Sequence, residues 1–260
     1  MKSAPLRRPF ASRAAAALIL AAAFAARAGG GEPAVLRAYA GAGLKPALDR
    51  LAAAFEARTG TRIEFDYSGS GVLLARAKLD RSADLFIPGD ADYVDQLRRE
   101  TDLVASHRTL GYFTPVILAR AAVTPPLRGL ADLARPGLKV GLGNAKSCQV
   151  GRTSDDLLAA AGLKRAALDA KESLTVNELV VWLKTGDIDA AIVWDALARE
   201  PGPELVVVPI PREVNRVSRV EAAVLTHAPR PERAAAFLDF AAGEEGRRAL
   251  EAGGLGTAAP

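Results

Sequence analysis

The chain has 260 residues, half of them apolar, enough for one large or two modest domains with real cores. Its 34 Lys and Arg stand against 30 Asp and Glu, but five of the basic residues and none of the acidic ones fall in residues 1–28, so the remainder holds 29 against 30, a charge of −1. That balance withdraws the basic footprint on which nucleic-acid binding depends.

Residues 1–28 read as a cleavable export signal. Lys2, Arg7, Arg8 and Arg13 make a basic start, Ala14 to Ala26 an apolar run too short to span a bilayer, and Ala26-Arg27-Ala28 a small-x-small cleavage pattern. Arg7-Arg8 adds the twin-arginine route to the general one. The expected location is the periplasm. The single cysteine, Cys148, can form no internal disulfide, and no cysteine follows the leader to carry a lipid.

From Ala34 onward, strand and helix patterns alternate. Val35 to Ala40 reads as a strand, and Leu44 to Arg58 as a helix with a stripe of Leu44, Leu48, Leu51 and Phe55. Gly60 supplies its left-handed end. Arg62 to Tyr67 alternates as a strand, Val72 to Leu79 is a short helix, Ala83 to Ile87 a strand, and Asp90 caps a helix to Arg99. Tyr112 to Arg120 is a long β-type run. A second series follows: Leu138–Leu142 as strand, Gly151–Ala161 and Val176–Lys184 as helices, Ile188–Trp194 and Leu205–Val208 as strands. Arg216 to Thr226 is again β-like, and helices close the chain near 231–242 and 244–252.

This alternation predicts an α/β protein whose sheets are mixed, mostly parallel and flanked by helices. The two long β segments bracket the second series, so one α/β lobe is interrupted by another: lobe 1 over 34–114 and 217–260, lobe 2 over 115–216, with two hinge crossings. A ligand belongs in the cleft where strand C-termini and helix N-termini converge.

Five loops fall at such junctions. In Ser68-Gly69-Ser70-Gly71, Ser70 lies at a helix start, where free amides and the helix dipole favour an anion. Taken alone, an ordinary serine cap accounts for the pattern at least as well. Ala40-Gly41-Ala42-Gly43 is a glycine-rich turn that lets backbone approach a ligand. Asn144 to Gly151 opens a helix whose amides near Val150 face the cleft, and Thr175-x-x-Glu178 is a capping box before Val176. Trp194-Asp195 ends a buried strand. Enzyme motifs are missing: Ser70 lacks the G-x-S-x-G elbow, no Gly-Lys-Ser/Thr phosphate loop follows a strand, and the only histidines, His107 and His227, lie outside every candidate loop. No resident metal site is expected.

In order, these pieces resemble the substrate-binding component of molybdate/tungstate ABC transporters, a type II periplasmic binding protein. The resemblance rests on "VLRAYAGAGLKPALDRLAAAFEARTG", "IEFDYSGSGVLLARAK", "ADLFIPGDADYVDQL", "VGLGNAKSCQVGRTSDDLLAAAGL" and "TVNELVVWLKTGDIDAAIVWDALA", and spans nearly the whole chain after the leader. It implies a two-lobed binder, not an enzyme, that holds an oxyanion without a cofactor and passes it to an ABC permease and its ATPase. A monomer is expected. Ser70 falls on a ligand-binding serine, and Val150 and Val176 on positions that offer backbone N–H. Gly43 stands where a serine is usual and Trp194 where a tyrosine is usual. Those two departures keep sulfate, phosphate or a small organic anion open as the ligand. A secreted hydrolase using Ser70 is the remaining alternative. Asp195, the one adjacent carboxylate, is expected to point away from a dianion.

Overall fold

The computed structural model describes residues 35–259. The leader expected over 1–28 lies outside them. Two five-stranded sheets, joined within one unit, carry the architecture.

The first sheet takes β1 (Val35–Gly41), β2 (Arg62–Ser68), β3 (Leu85–Ile87), β4 (Val104–Phe113) and β10 (Ser218–Leu225) in the order β2-β1-β3-β10-β4. The second takes β5 (Pro115–Arg120), β6 (Val140–Gly143), β7 (Ala170–Ser173), β8 (Ala190–Trp194) and β9 (Leu205–Pro209) in the order β7-β6-β8-β5-β9. Both are mixed. Each has two parallel and two antiparallel pairings, so the mostly parallel character expected from the alternation holds only for the three strands linked by crossover helices.

Those crossovers repeat between the lobes. In the first, α1 (Lys45–Thr59) links β1 to β2 and α2 (Ser70–Leu79) links β2 to β3, and α3 (Ala91–Glu100) follows β3. In the second, α4 (Gln149–Ala160) links β6 to β7 and α5 (Val176–Thr185) links β7 to β8. The connections diverge at β1 and at β6, which makes the C-terminal ends of these two strands the places where crevices open.

Packing follows from strand alternation. Leu36, Ala38 and Ala40 of β1 face a core shared with α1 and with the closing helices α6 (Pro231–Ala242) and α7 (Glu244–Ala252), where Phe55 meets Phe237 edge-on at 5.3 Å. Tyr39 points to the other face, among Leu73, Phe86, Tyr93 and Leu97 of the α2–α3 layer. Gly60 and Gly186 end α1 and α5 with φ of 70° and 80°, where a side chain would be strained.

Three stretches depart from the sequence expectation, the first being β7, a strand where no strand pattern is read. Val104–Leu110, to which the sequence pattern assigns no element, is strand; its residues are mostly polar and only partly buried, so it shows no apolar alternation. The run 112–120 is not one strand but two, broken at Thr114 where the chain changes sheets. Asp195 holds this crossing: its Oδ1 accepts the Thr114 N–H at 3.0 Å, and its own N–H donates to Thr114 O at 2.9 Å. Asn215, on the return crossing, donates to Pro115 O at 3.1 Å and ties the two passages together.

Candidate ligand-binding site

The loops that end β1, β2, β3, β6, β7 and β8 meet in one small cavity between the sheets. Gly43, Ser70, Val150, Val176 and Trp194 all line it. Gly43 lies in a 3-10 turn (Ala42–Leu44) after β1, and Ser70 is the first residue of α2. Val150 and Val176 sit in the first turns of α4 and α5, and Trp194 ends β8.

The local sequence explains each placement. α2 begins at Ser70 rather than Val72, with Gly69 in the extended N-cap position, so Ser70 is not a cap and its side chain is free for other work. Its hydroxyl, in a residue only 3% exposed, accepts the Gly89 N–H at 2.9 Å. α4 likewise starts two residues earlier than its pattern indicates, at Gln149. α5 starts where the capping box puts it: Thr175 Oγ1 accepts from Glu178 N and the Glu178 carboxylate accepts from Thr175 N. The first-turn amides of Ser70, Val150 and Val176 find no acceptor among the described residues. Three helix N-termini, with unpaired N–H groups and the positive ends of their dipoles, therefore border one cavity.

None of the residues lining the cavity carries a charge at neutral pH. The cavity encloses about 20 Å3, little more than the ~10–15 Å3 that one water needs by the same measure. A space of that size suits an ion of a few heavy atoms. The lobes meet at its rim: Gly71 N–H donates to Ser147 O at 2.9 Å. A Cβ at Gly69 would collide with Ser147 O, and one at Gly71 with Lys146 O. These two glycines are where the lobes touch through backbone.

Two groups near the site are inert. Burial pushes the Cys148 thiol up to about 11, the reverse of what a nucleophilic thiolate needs. Asp195 is not among the lining residues; its carboxylate faces the Thr114 and Ala196 amides, and burial raises its pKa. Two lining residues escaped sequence reading. Gly89 follows β3 in Pro88-Gly89-Asp90, where the only signal is the cap of the next helix, and Phe113 ends β4 beneath Trp194. Only the split at Thr114 gives Phe113 away.

The fold and this cleft define a two-lobed binding protein. The chain belongs to the bacterial extracellular solute-binding protein family, whose profile matches residues 36–256. It is 28% identical over 219 residues to the molybdate-binding protein ModA of Mycobacterium tuberculosis, covering 84% of this chain and 82% of that one. Among solved structures it shares the fold of the periplasmic molybdate-binding protein of Azotobacter vinelandii, with a TM-score of 0.73 at 18% identity, covering 86% of this chain and 99% of that one. It also shares the fold of the sulfate-binding protein SubI of Mycobacterium tuberculosis, with a TM-score of 0.75 at 17% identity over 87% and 88% of the two chains. The architecture is that of type II periplasmic binding proteins.

Proposed function

We propose that this protein captures a tetrahedral oxyanion, molybdate or tungstate, in the cavity between its lobes and delivers it to the permease and ATPase of an ABC transporter. The observation that carries the reading is the uncharged lining with unpaired amides at three helix starts, drawn from both lobes. A fully ionised dianion accepts hydrogen bonds only, and charge-assisted bonds from N–H and O–H groups are the strong kind. Donors on both sides of the ion give the joined lobes the differential affinity that favours closure. The molybdate-binding relative supports the ligand class.

The protein acts as a monomer in the periplasm after export through residues 1–28, and it performs no chemical step. The protonated thiol of Cys148 argues against covalent catalysis by this residue.

A second reading is sulfate or a protonated oxyanion such as phosphate. Gln149 lines the cavity, and its buried Oε1 has no partner, which offers an acceptor for a ligand proton. Sulfate carries no proton at neutral pH and gains nothing from that acceptor; its support is the sulfate-binding neighbour.

Thermal unfolding with molybdate, tungstate, sulfate and phosphate separates the two. A ligand at 100 times its Kd adds about 2.7 kcal/mol of stability. No shift with molybdate or tungstate overturns the first reading, and a shift with sulfate or phosphate alone establishes the second.

A further inference from the structure

Trp194 is 3% exposed and stacks on Phe113, with ring centroids 5.1 Å apart and planes 8° from parallel. The stack fixes the indole, whose N–H donates to no acceptor among the described residues while the side chain lines the cavity. Across the cleft stands Gly43. A Cβ built on it would lie 2.9 Å from Trp194 Cδ1, 3.0 Å from Val176 Cγ1 and 3.3 Å from Trp194 Nε1. Contacts that tight force something to move, and a ring clamped against Phe113 has nowhere to go.

We propose that Gly43 and Trp194 form a matched pair that sets the specificity of the site: the indole N–H is a ligand-contacting donor, and the missing side chain of Gly43 is the notch that receives the indole edge when the lobes come together. The pair rests on the oxyanion reading above. An indole N–H donates one hydrogen bond and accepts none, so this corner of the site selects a bare oxygen over a hydroxyl. A side chain at position 43 would hold the lobes apart before the donors of both sides reach one ion.

The test uses a Trp182→Phe parent, which leaves Trp194 as the single tryptophan of the two in the sequence. Titration calorimetry with molybdate, tungstate, sulfate and phosphate gives affinities, and Trp194 emission without ligand reports its exposure. Adding Trp194→Phe keeps an aromatic stack but removes the N–H, and the affinity falls about tenfold or more. Adding Gly43→Ala red-shifts the ligand-free emission and lowers affinity by a similar factor. In a Trp194→Leu background, the same Gly43→Ala change costs less than about threefold, since the two positions are coupled. Undiminished affinity in Trp194→Phe overturns the donor role. Unshifted emission with undiminished affinity in Gly43→Ala overturns the notch. If the parent binds none of the four anions, the oxyanion reading fails, while the ligand-free emission still reads the notch on its own.

Discussion

The Ser70 hydroxyl oxygen accepts the backbone N–H of Gly89 at 2.9 Å, tying the first turn of α2 to the loop after β3. This single bond orients the group. With its oxygen engaged by an amide, the hydroxyl proton is left to point into the cavity that Ser70 lines. The hydroxyl thus keeps its proton, and one lone pair, available to a ligand.

Ser70→Ala therefore has two expected effects. It leaves the Gly89 N–H unpaired, at a cost of about 1–3 kcal/mol in chemical denaturation, and it removes a donor from the ligand. Calorimetry should show affinity for the bound oxyanion reduced about tenfold or more. Unchanged affinity would remove Ser70 from the site.

Gly71→Ala separates closure from folding. The new methyl would strike Lys146 O and break the Gly71–Ser147 bond across the rim. The unfolding midpoint without ligand should stay close to that of the wild type, while the ligand-induced shift shrinks and the radius of gyration from solution scattering rises. An intact ligand shift would show that the lobes do not need this contact.

Cys148 should resist alkylation. With its pKa pushed up to about 11, about one thiol in a thousand is ionised at pH 8. Iodoacetamide at that pH should label the unfolded chain quickly and the native protein very slowly. Rapid labelling of the folded protein would contradict the burial of this thiol.

Asp195 gives a pH signature. Its pKa is raised above the ordinary 3.8, chiefly by burial and despite two backbone donors. For a carboxyl shifted upward, the favourable contribution is complete below the unfolded value and is lost as pH rises through the folded one. Asp195→Asn keeps an oxygen for Thr114 and Ala196 and has no proton to lose. The difference in unfolding midpoint between wild type and Asp195→Asn should favour the wild type most at the acid end and diminish as pH rises above the ordinary value. A pH-independent difference would mean that the carboxyl does not titrate abnormally.

Much of this architecture is legible in the sequence because local chemistry and tertiary role agree. α6 and α7 begin at Pro231 and Glu244, as a proline and an acidic first turn dictate, and Thr175 and Glu178 announce the start of α5. The site residues that flank such junctions were accessible for the same reason. Two of the four edge strands, β7 and most of β4, were not. β7 is four residues, mostly solvated, with two charges, so it carries no apolar pattern. Gly89 and Phe113 reach the cavity from strand ends and bear no helix-start signal. The fit of Gly43 against Trp194 joins residues from different lobes, and no local pattern encodes it.

The uncharged lining has a consequence for the environment in which capture takes place. A cleft of lysines and arginines surrenders condensed counterions when it fills, and its grip loosens as salt rises. A cleft of amides, hydroxyls and one indole has no counterions to release and no side chain that changes charge near neutrality. The acidity range over which this protein gathers its solute is then that of the solute itself, and brackish and dilute surroundings serve it nearly alike.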